Sequence, residues 1–342
     1  MCMAAACTEA KDQPAEGEAK PEATKTEAPA EKTAEELEAE KAAEEAAKEA
    51  EERKKRVAEA MEKAKKEAAE EAARWTDEMR KAATELVEAS HKNAKAALSA
   101  VLGSEHRTPG NADRDAHRHP VKTLLFFGLK PDMTVLEVGA GGGWYTELLA
   151  PVLAKDGMLY VAGYDPKGPD DSFRTYYGAR FQMFLDKSPE LFGKVKVNYI
   201  DPPEKLTLAP AGSVDLAIAA REMHGWHRRD AFDAYVKAVF EALKPGGVFG
   251  VVQHRAPAGA NPDESAEKGY LPEEWVIKSV EAQGFKLVEK SEINANDKDT
   301  KDYEKGVWTL PPAFAEEDKD KAKYEAIGES DRMTLKFMKP EA

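Results

Sequence analysis

The run from Thr134 to Thr146, TVLEVGAGGGWYT, constrains the fold more than any other part of the chain. Thr134, Val135, Leu136 and Val138 supply a short apolar strand. Gly139, Gly141, Gly142 and Gly143 supply a turn in which backbone can approach a ligand closely. The residues from Trp144 to Pro151 then begin a helix, with Leu148 and Leu149 for its core face. A strand feeding a glycine turn at a helix N-terminus is how open α/β sheets take up nucleotide-like cofactors. A tight structural turn can give the same letters, so the rest of the chain must decide. A dinucleotide fingerprint, G-x-G-x-x-G or A, needs a small third residue so that helix and strand pack closely. Counting from Gly139, that place is held by Trp144, which is far too large. The pattern is instead acid-x-Gly-x-Gly-x-Gly, from Glu137 to Gly143.

The segments that follow are ordered. Residues 157–164 read as a second strand ending at Asp165, where a carboxylate can accept both ribose hydroxyls of a nucleoside. Residues 195–200 read as a third strand ending at Asp201, and 213–220 as a fourth. A helix is expected over 230–243, then a turn at 244–247 (KPGG) before a fifth strand at 248–253. Residues 285–293 and 333–338 read as the last two strands. From Asn111 to Pro340, about two thirds of the chain, this set resembles the class I S-adenosylmethionine-dependent methyltransferases.

The resemblance implies an α/β fold with a Rossmann-like, seven-stranded, mostly parallel sheet and an antiparallel last strand. It implies S-adenosylmethionine as cofactor, held by Glu137, Gly139, Gly141, Gly143, Asp165 and Asp201, the last toward the adenine amino group. It also implies methyl transfer, with a small molecule as the expected acceptor. Two segments, RHPVKTLLFFGLKPDMTVLEVGAGGGWYTELLAP and SEINANDKDTKDYEKGVWTLPP, resemble a narrower branch of predicted bacterial methyltransferases, often exported. An insertion between the last two strands, Asn294 to Asp331, departs from the usual pattern.

Acceptor chemistry is expected beyond the carboxyl ends of the strands, where REMHGWH (221–227) follows strand four. His224 is the candidate base, with a histidine satisfied by loop hydrogen bonds as the plainer alternative. Arg221, His227, Trp144, Tyr145 and Trp308 are candidates for the substrate pocket. His224, His227 and His254 lack an acidic partner at a fitting spacing, so no metal is expected. The D-P-P-E run at 201–204 is rejected as an amino-methylation motif, because a whole strand still follows it and Glu204 stands where an aromatic should. His117 and His119 precede a helix at 121–128 expected to pack on the sheet edge, and either close over the cofactor or cap that helix. The insertion, with Asn294, Asn296, Lys301, Tyr303, Trp308 and Glu329 to Arg332, is expected to wall the acceptor pocket. Two other functions stay open. One is a non-catalytic binding protein of the cell envelope that keeps the fold. The other is an NAD(P)-dependent oxidoreductase, disfavoured by Trp144 and by the lack of a well-placed Tyr-x-x-x-Lys pair.

The N-terminal region reads differently. Residues 1–74 carry 21 acidic and 14 basic side chains, half of the net charge of −14. Residues 1–32 are expected to be a disordered low-complexity tail, with Pro14, Pro21 and Pro29 in it. Residues 33–110 are expected to be a charged helical segment, with no apolar face for firm packing as far as residue 73. The methyltransferase-like domain is then 111–340, with the insertion at 294–331. An acidic chain has no electrostatic footprint for phosphate backbones, so nucleic acid is not expected as a partner. No segment approaches the apolar length of a membrane span. Both cysteines, Cys2 and Cys7, lie at the very start, which excludes a cysteine nucleophile in the core. Ala-Ala-Ala-Cys7 before an Ala/Glu/Pro tether matches the end of a lipoprotein signal, without the apolar stretch that should precede it. A lipid anchor at Cys7 in the envelope and a cytoplasmic location both stay open, as does the oligomeric state.

Overall fold

A computed structural model describes residues 33–316 and 320–341. The expected disorder over 1–32 and the Cys7 anchor lie outside the described residues. The chain divides at Glu49, and the sheet with its covering helices belongs to the unit from Ala50 onward.

Seven strands form one sheet: β1 (Thr134–Val138), β2 (Met158–Tyr164), β3 (Lys196–Ile200), β4 (Val214–Ala220), β5 (Leu243–His254), β6 (Lys286–Ser291) and β7 (Arg332–Met338). Their spatial order is β3-β2-β1-β4-β5-β7-β6. The first five run parallel, and β7 lies antiparallel between β5 and β6. This is the sheet that the resemblance implied. Side chains alternate faces along a strand, and here both faces are buried. Val135, Leu216 and Ile218 face one core, with Leu124, Leu148 and Leu149. Leu136, Val138, Ala217 and Ala219 face the other, with Val236, Val239, Val276 and Val280. Near-continuous apolar runs in β1 and β4 follow from that double burial.

Three local expectations change. The KPGG run is not a turn before β5. It lies inside the strand as a bulge, because Val214 pairs with Leu243 while Leu216 pairs with Val248. Gly246, at φ 76°, takes up the irregularity. The helix after the glycine turn runs Thr146–Leu153, so Trp144 and Tyr145 belong to the turn. Helix Pro120–Phe127 lies over β5 and β7, inside the sheet and not at its edge. Gly250 of β5 has no side chain because Phe127 fills that place: a Cβ there would lie 2.6 Å from the ring.

The charged segment is also more tightly attached than its composition suggests. Helix Ala34–Arg74 opens with a reciprocal cap, Thr33 N to Glu36 Oε2 (2.8 Å) and Glu36 N to Thr33 Oγ1 (3.3 Å). Farther along, Val57 and Ala64 are buried. Two small apolar residues seven apart form a narrow buried stripe, although larger apolar residues are almost absent from this helix. Trp75, Ala83, Leu98 and Val101, on and between the next helices, sit in the same core cluster as Val135 and Leu148. The glycine-turn helix anchors this region from within: the buried Glu147 carboxylate accepts from Arg107 Nε (2.6 Å), Asn111 Nδ2 (2.9 Å) and the Thr108 amide (3.1 Å).

Candidate functional site

Gly139, Gly141 and Gly143 all have positive φ (79°, 55° and 81°). The alternating glycines of the sequence pattern thus mark three left-handed residues that an L side chain would strain. A Cβ at Gly139 would lie 2.6 Å from Glu222 Cδ and one at Gly143 2.5 Å from Phe184 Cζ, whereas one at Gly141 would meet nothing within 4 Å. Gly141 therefore presents bare backbone to open space.

Two cavities meet at this turn. The smaller, about 390 Å³, lies over the carboxyl ends of β1 to β4. Val138, Ala162, Gly163, Tyr164 and Ile200 form its strand-end wall, with Tyr177 and Phe181 from helix Phe173–Asp186. The larger, about 800 Å³, lies on the other side of the turn. Its walls include Glu137, Trp144, Tyr145, Arg118, His254, Trp308 and Glu329. Gly139 to Gly141, Arg221, Glu222, His224 and Trp308 border both. Both volumes lie in the range of small-ligand sites.

The residues singled out from sequence are distributed unevenly over this site. Trp144, Tyr145, Arg221 and Trp308 line the larger cavity. His227 does not; it pairs with Asp263 at 2.7 Å and packs edge-on against Trp275. His117 and His119 border neither, and lie together at a separate surface depression. Asp165 follows β2 directly, and its Oδ1 accepts from the Lys167 amide (2.8 Å). Asp201 is mostly exposed and pairs with Arg174 at 2.6 Å. Neither aspartate lines either cavity, although their strand neighbours Tyr164 and Ile200 line the smaller. The insertion does wall the larger cavity, through Val307, Trp308, Pro311, Pro312, Glu329 and Ser330.

His224 borders both cavities, with Nδ1 3.4 Å from Gln253 Nε2 and its ring 5.8 Å from Trp308. Burial pushes it down to about 4, so the imidazole is neutral near pH 7. Burial also lowers His254, whose Nδ1 meets Ser330 Oγ. The two rings lie 5.7 Å apart. Among the described residues no group of three or more His, Cys, Asp or Glu side chains could hold a metal.

Of the charged residues here, Glu137 and Arg221 were singled out from sequence, whereas Glu222 and Arg118 were not. Burial raises Glu137, whose Oε2 accepts from Thr146 Oγ1 at 2.7 Å, to about 7. It raises Glu222, which covers Gly139, to about 8. Arg221, directly after β4, has φ 64°, and its amide still donates to Val252 O (2.7 Å). Arg118 and Arg332 enclose Glu329: Arg118 Nε lies 2.8 and 2.9 Å from its two oxygens, and Arg332 Nη1 2.7 Å from Oε2. Burial would raise Glu329, but Arg332 and Arg118 hold it down at about 2. The signal for this cluster was the ESDR run at 329–332, which the sequence reading noted, but its partner lies 211 residues away.

No protein family model matches the sequence, and neither does any curated protein. Many solved structures resemble the chain in fold. A SAM-dependent methyltransferase from Aquifex aeolicus is 18% identical over 66% of this chain and 93% of its own, with a TM-score of 0.42. A putative sarcosine dimethylglycine methyltransferase from Galdieria sulphuraria is 13% identical over 70% and 90%, with a TM-score of 0.45. The [4+2]-cyclase SpnF is 17% identical over 72% and 92%, also at 0.45. The strand order and antiparallel β7 define the Rossmann-like fold of class I methyltransferase type. The likeness is one of fold, and the narrower exported branch finds no support in it.

Proposed function

We propose that the protein transfers a methyl group from S-adenosylmethionine to a small-molecule acceptor. The observation that supports this most is the meeting of two cavities at one glycine turn, one for a cofactor and one for its reaction partner. The residues fit the cofactor. The smaller cavity offers apolar and aromatic walls at Val138, Ile200, Tyr164 and Phe181, and Gly141 leaves space where a side chain would intrude. Asp165 and Asp201, next to those walls, are assigned to the ribose and adenine ends. Asp201 must then release Arg174. When bound, S-adenosylmethionine supplies a methyl group on a sulfonium, with its leaving group already activated.

What remains for the protein is positioning and exclusion of water. Trp144, Tyr145 and Trp308 shape the larger cavity, and the neutral His224 takes a proton from an acceptor that must lose one. The acidic rim residues Glu67 and Glu70 suit a small acceptor and not a nucleic-acid strand. Calorimetry with S-adenosylmethionine and NADH, followed by a labelled-methyl transfer screen against a metabolite extract, tests the proposal. S-adenosylmethionine should bind and label should move. Binding without transfer would favour a non-catalytic binding protein, and binding of NADH alone would favour an oxidoreductase. Asp165→Ala should weaken S-adenosylmethionine by at least about tenfold, since charge-assisted hydrogen bonds contribute about 1.5 to 3 kcal/mol each.

A further inference from the structure

The larger cavity carries buried positive charge that the fold does not fully compensate. Arg118 is 4% exposed; its Nε is used by Glu329, and its guanidinium lies 4.9 Å over the Trp144 ring. Its Nη1 is buried without a hydrogen-bond partner, and so is Nη1 of Arg221. Both residues line the cavity. Behind them, Arg332 is 2% exposed and shares Glu329 through Nη1, while its Nη2 donates to His117 O (2.8 Å). Three guanidinium groups thus share the influence of one carboxylate, which accepts from Arg118 and Arg332 but not from Arg221. Glu137 and Glu222, the other carboxylates near Arg221, are raised by burial to about 7 and about 8, so near neutral pH they offset that charge only in part. Arg221 is itself pulled down to about 9, by burial first and then by the like charge of Arg118. Buried donors without partners are costly, and a cationic one more so. A guanidinium fork is matched best by a carboxylate or phosphate, which can accept two parallel hydrogen bonds.

We infer that the acceptor carries a compact anionic group, a carboxylate or phosphate, received by the free N–H groups of Arg118 and Arg221 in the larger cavity. This rests on reading that cavity as the acceptor site. The methionine carboxylate of the cofactor is a second source of the same chemistry. Arg118 borders only the larger cavity, not the one assigned to the cofactor, which favours the acceptor. The neutral His224 stands at the junction of the two cavities, so an acceptor anchored by its anion directs its other end toward the cofactor side.

The test uses the full chain and Arg118→Met and Arg221→Met. The Arg221 side chain makes no hydrogen bond to the described residues, so its replacement should fold even if that of Arg118, a partner of Glu329, does not. Inorganic phosphate, and separately acetate, are titrated by calorimetry into protein alone and into protein saturated with S-adenosylhomocysteine. S-adenosylhomocysteine and methylthioadenosine, which lacks the carboxylate, are titrated in parallel. Phosphate or acetate should bind the saturated wild-type protein, and each substitution should weaken that binding at least about tenfold. Both nucleosides should change by the same small factor. Absence of anion binding, or binding that both substitutions leave intact, overturns the inference. A tenfold loss for S-adenosylhomocysteine with methylthioadenosine unchanged also overturns it, by assigning the arginines to the cofactor. If neither nucleoside binds the wild-type protein, the cofactor reading fails separately. The phosphate arm on the protein alone then decides the anion site by the same substitutions.

Discussion

The two sides of the cleft were built by different means. On one side, the glycine turn draws its backbone conformations from five consecutive residues, Gly139 to Gly143. On the other, the arginine cluster joins Arg118, Arg221, Glu329 and Arg332 from three distant parts of the chain. Where a left-handed backbone falls on glycines, as at Gly139, Gly141 and Gly143, it leaves a visible mark in sequence, because glycine adopts it without strain. A buried ion cluster leaves a much weaker one, here only the ESDR run at 329–332, because each arginine alone reads as a surface charge. In the function proposed above, the turn sets where a ligand lies, and in the further inference the cluster sets what charge that ligand brings.

The largest effect should come from the charged side. Glu329→Ala leaves Arg118 and Arg332 buried without their shared carboxylate, and breaking such a pair typically costs about 3–5 kcal/mol. Chemical denaturation of wild type and variant measures it. A loss under about 1 kcal/mol would show that water already compensates these arginines. The same carboxylate gives an acid limit. Its folded pKa, about 2, lies below the ordinary 4.5, so its contribution is present above 4.5 and is lost as pH falls toward 2.

On the glycine side, Gly139→Val should cost about 2–3 kcal/mol and abolish cofactor binding. It combines a strained φ of 79° with a Cβ only 2.6 Å from Glu222 Cδ. A melting curve and a cofactor titration on the same sample separate the two losses. If Gly139→Val keeps both stability and binding, the turn is not shaped by the steric limits argued above.

Glu222 joins the two sides, and its effect should be smaller and confined in pH. Its folded pKa, raised by burial to about 8, lies above the ordinary 4.5. The stability tied to its neutral form is therefore full below 4.5 and lost as pH rises through 8. His224 works in the opposite sense between about 4 and 6.5, where its neutral folded form loses stability as pH falls. Above 6.5 the histidine no longer contributes, and a Gln variant separates Glu222 from Glu137, which burial raises to about 7. Glu222→Gln should thus lose less stability than wild type between pH 6.5 and 8, by on the order of 1–2 kcal/mol. Parallel melting curves across that range would expose a wrong assignment.

Much of the sheet was readable because β1, β2, β4 and the second half of β5 are apolar runs bounded by glycine, aspartate or charged residues. The bulge at Leu243 was not, since Lys-Pro-Gly-Gly has the composition of a turn and pairing with Val214 depends on a neighbouring strand. The docking of Val57 and Ala64 was missed for a different reason. A narrow stripe of small residues on a charged helix gives almost no periodic signal. Trp144 and Trp308, which line the larger cavity, could be singled out from sequence because they flank recognisable segments. Glu222 was passed over between two residues that were weighed, because its chemistry comes from burial against Gly139.

The proposed function depends most on the glycine turn as the place where the cofactor would meet the protein. Gly141→Val isolates that point, because its Cβ would meet no protein atom within 4 Å while entering the space where the two cavities join. Calorimetry with S-adenosylmethionine on wild type and this variant is the direct measurement. Wild type should bind, and the variant should lose at least about tenfold in affinity while its stability falls by only about 1–2 kcal/mol from the strained φ. Equal binding by the two proteins, or no binding by wild type, would contradict the placement of the cofactor at this turn.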